Sequence, residues 1–446
     1  MTFGPHRRKV RSQPLPAEFP GAHSIDEEEV EAAVRLLRSR SLYRYYGLDP
    51  RHETDQFEAE FAQYLGVRHV VAVTSGTAAL HAALGALRVG PGDEVIVPSY
   101  MWVSVIAAVV NLGAIPVLAE IDESFGLDPE DVERRITPRT AGVIAVHMCG
   151  APADVLPLRE ITRRHSLFLL EDCAQCAGGS IHGQKVGTFG DIAIFSFQTN
   201  KNMTVGEAGA IVTNDTQLYD RAVSIQDSGY ARDAQGEIVL DDPSAFGWGR
   251  GVRLDELRAA VLRVQLRKID RTIARMRQSK ERIAAPLRQH PQIQLRRHAD
   301  PRGDTSCFLL TIFPDAATAR AMNRLLLESG IATFSPTTSN VILADYGMHI
   351  YYNIPALVRK VGTDHRGFPW TLKENRLSVY DYAKGVCPRS DDLFERSLLL
   401  AIASCLTAED EEQIMDAFVD ALAEVFPTPE IPGNTATRPL LNAVAE

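Results

Sequence analysis

The 446-residue sequence has no GxxxxGK[ST] phosphate loop and no GxGxxG opening a helix; Gly247-Trp248-Gly249-Arg250-Gly251 fails the second pattern at its final position. Nucleotide hydrolysis and hydride transfer both lose ground. The chain also lacks a basic surplus: 47 Lys and Arg stand against 57 Asp and Glu, a formal net charge of -10. With acids and bases interspersed, there is no field to draw in nucleic acid or an anionic membrane. The one basic patch, His6-Arg7-Arg8-Lys9-Val10-Arg11, has no long apolar core beside it and reads as a solvated arm. Cysteine is scarce. Its six positions (149, 173, 176, 307, 387 and 405) are scattered, as expected for reduced thiols in a cytoplasm rather than a disulfide framework. Cys173-Ala174-Gln175-Cys176 has no second pair at ligand spacing, so a metal or thiol-redox reading gives way to buried cysteine packing as a small hydrophobe. Nor is there an unbroken membrane span. Residues 95–119 carry no charge, but Pro98, Asn111, Gly113 and Pro116 divide them into a strand at Glu94–Val97, a helix at Val103–Leu112 and a strand at Ile115–Leu118. No internal repeat is evident, which argues against a solenoid.

What is present is ordinary globular composition, 45% hydrophobic and 23% charged, in a chain long enough for two or more domains. Helical spacing at Glu27–Ser39 and Gln56–Leu65 alternates with short apolar runs at Val70–Val73, Val143–Val146 and Leu167–Leu170. An α/β sheet covered on both faces follows. Asp255 to about Gln289 reads as a long helix, with Leu257, Val261, Val264, Ile269, Ile273 and Met276 near one face and arginines and lysines opposite. Beyond it, strand character at Cys307–Phe313, a polar loop at Ser335–Asn340 and a helix at Ala408–Val425 suggest a smaller α+β domain. The expected organisation is an N-terminal arm (1–24), a large domain (25–265), a linking helix with a small C-terminal domain (266–427) and a loose tail (428–446).

Each strand end runs into a polar or glycine-bearing turn, and in open α/β sheets such turns converge on one ligand site. Lys201 follows the apolar run around Phe195-Ser196-Phe197, and Gly206-Glu207-Ala208-Gly209 comes just after it. Upstream, Asp172 ends an apolar run with no Arg or Lys adjacent, although capping a helix is its blander role. A lysine able to form a Schiff base and an acid able to keep a pyridine nitrogen protonated are the minimum equipment for pyridoxal phosphate chemistry. Ser75-Gly76-Thr77 opens a helix directly after a strand, where hydroxyls and backbone N–H groups can hold a phosphate. Ser196 supplies a further hydroxyl, and Trp102 has the shape to lie on an aromatic ring or to pack in the core. His147 reads as a packed strand-end residue, and His349 equally as a substrate contact or as a structural residue.

As a set, Ser75-Gly76-Thr77-Ala78-Ala79-Leu80, Gly92-Asp93-Glu94-Val95-Ile96-Val97-Pro98, Glu171-Asp172 with Gln175, and Phe195-Ser196-Phe197 with Lys201-Asn202 resemble the DegT/DnrJ/StrS aminotransferases over roughly residues 25–425. The resemblance implies a fold type I pyridoxal-phosphate enzyme: a large α/β/α domain with a mostly parallel sheet and a smaller C-terminal α+β domain. It implies that Lys201 forms the internal aldimine and then moves the proton between the donor Cα and the cofactor C4′. Asp172 would pair with the pyridine nitrogen, Gln175 lie near the ring hydroxyl, Trp102 stack on the ring, and Gly76, Thr77 and Ser196 bind phosphate. The amino group would pass from glutamate or glutamine to a keto sugar, keto-cyclitol or related natural-product carbonyl. A sugar dehydratase on the same fold is the alternative. Tyr45, Tyr46, His349 and Tyr351 are candidate acceptor contacts. The resemblance also implies a homodimer with a shared active site. Two positions depart from the family pattern. Gly251 stands where an asparagine usually reaches the neighbouring subunit's phosphate, which leaves Arg250 as a replacement, and Ala208 stands in a turn that is usually Gly-Glu-Gly-Gly.

Overall fold

The computed structural model describes residues 11–233, 237–241, 247–333 and 340–427. The expected tail, most of the expected polar loop and all of the basic patch except Arg11 lie outside them. Seven short strands form the main sheet: β1 (His69–Val73), β2 (Glu94–Pro98), β3 (Ile115–Ala119), β4 (Thr140–Val146), β5 (Phe168–Asp172), β6 (Ile192–Ser196) and β7 (Gly209–Thr213). They lie in the order β1-β7-β6-β5-β4-β2-β3. All point one way except β7, which runs antiparallel to both β1 and β6. Val, Ile and Leu runs without alternation suit strands buried on both faces.

Helices cover both faces, as the sequence pattern requires. The first helix, α1 (Glu27–Ser39), packs Ala32 and Leu36 on Ala260 and Val264 in a small cluster of its own. On one side of the sheet α2 (Glu53–Leu65), α3 (Gly76–Ala86) and α4 (Ser104–Asn111) belong to the segments around the larger core, which holds Val95, Val97, Ile144, Val146, Leu170 and Ile194. On the other, α5 (Pro129–Arg135) and α6 (Val155–Arg164) pack Val132, Val155 and Leu158 against Ile96, Val143, Ala145 and Leu169. This alternation fixes two acids. Asp172 shares the parity of Leu170 and faces the larger core, whereas Glu171 shares that of Leu169 and faces away.

The sheet continues through α7 (Thr216–Gln226) into α8 (Glu256–Arg288), capped by Asp255, whose carboxylate accepts from the N–H of Arg258. The boundary expected at 265/266 falls inside this continuous helix. Its cations are not all opposite the apolar face. Lys268 is buried against Glu29 (2.8 Å), and Lys280 is buried against Asp304, because α8 packs on several sides at once. The smaller sheet has the order Gln294–Leu295, Phe308–Ile312, Ser397–Ala401, Val341–Ile342, all antiparallel. The helices α9 (Ala316–Glu328) and Ala408–Val425 pack with it, the latter started by a Thr407/Asp410 capping box. The described part of the expected N-terminal arm, residues 11–24, packs on the rest of the chain. Arg11 pairs with Asp410 at 2.7 Å, Leu15 is buried, and the N–H of Gly21 donates to the carbonyl of Lys201 at 3.0 Å. No helix among the described residues is long and apolar enough to cross a membrane.

Candidate active site

A cavity of about 640 Å³ opens where β1, β4, β5 and β6 end. Ser75 caps α3, its hydroxyl accepting from the N–H of Ala78 at 3.0 Å, so the first N–H groups of the helix stay free of backbone partners. Gly76 then touches Ser196 so closely that a Cβ would lie 2.7 Å from the Ser196 Cβ. Behind it Gly209 meets Ser75, where a Cβ would come within 2.5 Å of the Ser75 carbonyl carbon. Three chain segments are thereby pressed into one wall. Thr77 joins it with its hydroxyl 2.8 Å from that of Ser104.

Asp172 and Lys201 face this cavity from adjacent strand ends. Burial raises the Asp172 carboxyl pKa, partly opposed by a hydrogen bond from the N–H of Ala174 (2.9 Å) and by the Lys201 charge. Asp172 caps no helix. Burial lowers the Lys201 ammonium, against the pull of Asp172. The lysine lies on a cross-braced loop: its N–H donates to the Gln198 carbonyl (2.9 Å), and the N–H of Phe197 to the Ala208 carbonyl (2.8 Å). Ala208 is buried at an ordinary negative φ, so the departure from glycine costs nothing there. Gln175 lines the cavity with its Oε1 held by the N–H of Cys149 at 3.0 Å, and Trp102 is 41% exposed in the cavity wall.

His147, Glu171 and Cys173 are the one grouping among the described residues with metal-ligand reach. It reads as structural. Nδ1 of His147 accepts from the N–H of Ala153 (2.9 Å), and Nε2 donates to Glu171 (3.1 Å). Glu171 also accepts from the backbone N–H groups of Gly187, Phe189 and Gly190. Cys173 and Cys176 are buried free thiols, raised by desolvation, as packing cysteines should be.

The cavity brings together Gly76, Thr77, Trp102, Asp172, Gln175, Ser196, Lys201 and His349. Tyr45, Tyr46, Tyr351 and Arg250 do not line it in this chain. Tyr351 is fully buried and donates to Asp391 at 3.0 Å, because the tight turns around His349 send alternate side chains inward. Tyr45 lies in a separate cavity of about 470 Å³, hydrogen-bonded to Gln226 (3.0 Å) with the Arg232 guanidinium 3.8 Å from its ring centre. Tyr46 is 72% exposed, and Arg250 is exposed with its N–H bonded to the Ile225 carbonyl. Sequence reasoning missed Glu18 and Tyr346, both cavity-lining. Glu18 belongs to a stretch without periodicity, and nothing local announces it.

Residues 23–338 match the DegT/DnrJ/EryC1/StrS aminotransferase family. The chain is 38% identical over 303 residues, 67% of its length and 70% of the relative's, to L-glutamine:2-deoxy-scyllo-inosose aminotransferase of Streptoalloteichus tenebrarius. It is 38% identical over 258 residues, 58% of its length and 68% of the relative's, to GDP-perosamine synthase of Vibrio cholerae. Among solved structures, 3-amino-5-hydroxybenzoic acid synthase superposes with a TM-score of 0.73 at 28% identity, covering 93% of this chain and all of that one. DesV of S. venezuelae gives 0.74 at 30% identity, covering 92% and 99%. Matched along most of its sequence and superposing on these enzymes nearly end to end, the chain belongs to the DegT/DnrJ/EryC1/StrS aminotransferase family, with the fold type I architecture.

Proposed function

We propose that the cavity holds pyridoxal phosphate and moves an amino group from glutamate or glutamine to a keto sugar, keto-cyclitol or related natural-product carbonyl. The observation that carries this reading is a lysine of depressed proton affinity and a buried carboxylate sharing one cavity with the amino end of α3. When bound, the cofactor supplies an electrophilic carbon for amines and a protonated ring that takes up an electron pair. With its proton affinity lowered by burial, Lys201 would offer its amine to the cofactor and, once released by a donor, would take the proton from the donor's Cα. Asp172 holds the proton on the ring nitrogen, and a cation there relieves the cost of its burial. The hydroxyls of Ser75, Thr77 and Ser196 and the N–H groups of Gly76 and its neighbours receive the phosphate. The fit is specific, since any side chain at position 76 would fill that cradle. With its oxygen engaged, Gln175 presents its amide N–H groups to the ring hydroxyl, and Trp102 presents its indole to the ring face.

Charge balance argues for a C2 homodimer with shared sites. Among the described lining residues, Lys201 is the single cation beside Glu18, Asp172 and Glu207, the fourth acid, Asp345, being paired with Arg320 at 3.1 Å. A phosphate and a dicarboxylate donor need more positive charge than one chain brings. Arg250 of a partner, beside Gly251 at φ +64°, supplies it by a charge-assisted hydrogen bond. Six free thiols, five of them buried, suit a cytoplasmic setting. The relatives named above act on a ring ketone or make amino compounds, which favours transamination. None of those names describes a dehydratase, the alternative reading. Adding glutamate or glutamine to the cofactor-loaded protein should bleach its visible absorption band, and Lys201→Ala should abolish the bleaching. A band that no amino donor alters would overturn the reading.

A further inference from the structure

Two segments outside the family match at 23–338 also line the cavity. The first is a strap formed by residues 11–22. It is tied to the small sheet's surroundings by the N–H groups of Arg11 and Leu15, which donate to the carbonyls of Ser329 (3.0 Å) and Ala332 (2.8 Å). It is tied to the Lys201 loop by Gly21, whose Cβ, were there one, would lie 2.8 Å from the Met203 Cα. With both ends fixed, Glu18 is delivered into the cavity wall. It is 8% exposed, and its buried Oε2 has no hydrogen-bond partner. A carboxylate left unpaired at that depth is costly unless a ligand pairs it.

The second segment carries Tyr346 and His349. The two rings stack at 4.1 Å, and the imidazole lies 4.8 Å from the Trp102 ring. His349 Nδ1 donates to the Tyr346 carbonyl at 3.2 Å, which leaves Nε2 as an acceptor. Burial and the nearby Lys201 lower its pKa to about 4, so it stays a neutral acceptor at ordinary pH. Two acceptors therefore line one cavity. A carboxylate or phosphate set directly against Glu18 would be repelled, whereas hydroxyl groups there satisfy both residues.

We infer that Glu18 and His349 form a hydroxyl-recognition subsite that holds the uncharged, hydroxyl-bearing end of the amino acceptor, with Glu18 as the residue that sets acceptor specificity. The inference rests on the aminotransferase reading, and a two-stage experiment separates them. Bleaching by glutamate tests that reading alone. Recovery of the band in the bleached protein is then timed with 2-deoxy-scyllo-inosose, with further hydroxylated cyclohexanones and hexose ketones, and with cyclohexanone, which has no hydroxyl. Wild-type protein should favour a hydroxylated ketone. Glu18→Ala should lower efficiency on it by about 10- to 100-fold, the loss expected for a hydrogen bond to a charged group, through KM more than kcat. Glu18→Gln, whose amide oxygen still accepts, should recover part of that loss, and cyclohexanone should be little affected by either change. Equal losses on both kinds of ketone, unchanged discrimination in both variants, or a bleached protein that no hydroxylated ketone restores would each overturn the inference.

Discussion

Gly209 has almost no freedom. Paired with Val73 across the β1–β7 ladder, it has no room to retreat from Ser75, so a methyl group there must push apart the wall proposed to hold phosphate. Gly209→Ala should cost about 1–3 kcal/mol in unfolding free energy, as overpacking does, and should weaken cofactor retention measured by equilibrium dialysis. His349 makes a second prediction. Its folded pKa of about 4 lies below the unfolded 6.5, so as pH falls through that window the unfolded chain gains a proton that the folded one refuses. Stability is complete above the window and declines within it. Between pH 7.5 and 5 this contributes about 1–2 kcal/mol of lost stability, and urea titrations of His349→Asn should show a correspondingly flatter pH dependence. Lys201, Asp172 and Gly76 were legible in the sequence because each stands in a strand-end turn, where the topology leaves little choice of destination. Tyr45 and Tyr351 were not, since an aromatic side chain in a loop carries no mark of the cavity it enters.

Among the elements, α2 begins earlier than its apolar spacing suggests, at Glu53, and the reason lies 203 residues away. Its N-cap, His52, makes no capping side-chain hydrogen bond. Instead the buried Glu256 carboxylate at the start of α8 accepts from the N–H groups of Glu53 (2.7 Å) and Thr54 (3.0 Å). Glu256→Ala should remove both bonds and destabilise the protein by about 2–3 kcal/mol, measured by thermal or urea unfolding. Such a cap is invisible to local pattern reading. Helices capped by their own neighbours, such as Glu27–Ser39 with Asp26 and Ala408–Val425 with Thr407, have their bounds written in the sequence. The covered parallel sheet was legible for a similar reason, because short uninterrupted apolar runs leave strands no exposed face. The burial of Lys268 and Lys280 was not, since it depends on which acids α8 meets.

For the whole molecule, the shortage of cations in the cavity makes assembly testable. If Arg250 serves the partner's site, Lys201→Ala and Arg250→Ala should each be inactive or weak alone. Dissociating and reassociating a mixture should restore up to about a quarter of wild-type activity, because half the dimers are mixed and one of their two sites keeps both residues. No recovery despite mixed dimers seen by mass spectrometry would place Arg250 elsewhere. The reversed direction of β7 has a consequence of its own. Chain leaving β6 at Ser196 must return to the same rim at Gly209, so residues 197–208 hang from the sheet by both ends. Lys201 is thus held on a closed bracket of set length, whereas the turns leading from β1 and β2 into helices join the main sheet at one end only. One residue inserted beside Thr199 should leave the fold standing and carry the amine out of line with Asp172. In this chain, length within that bracket is a form of aim.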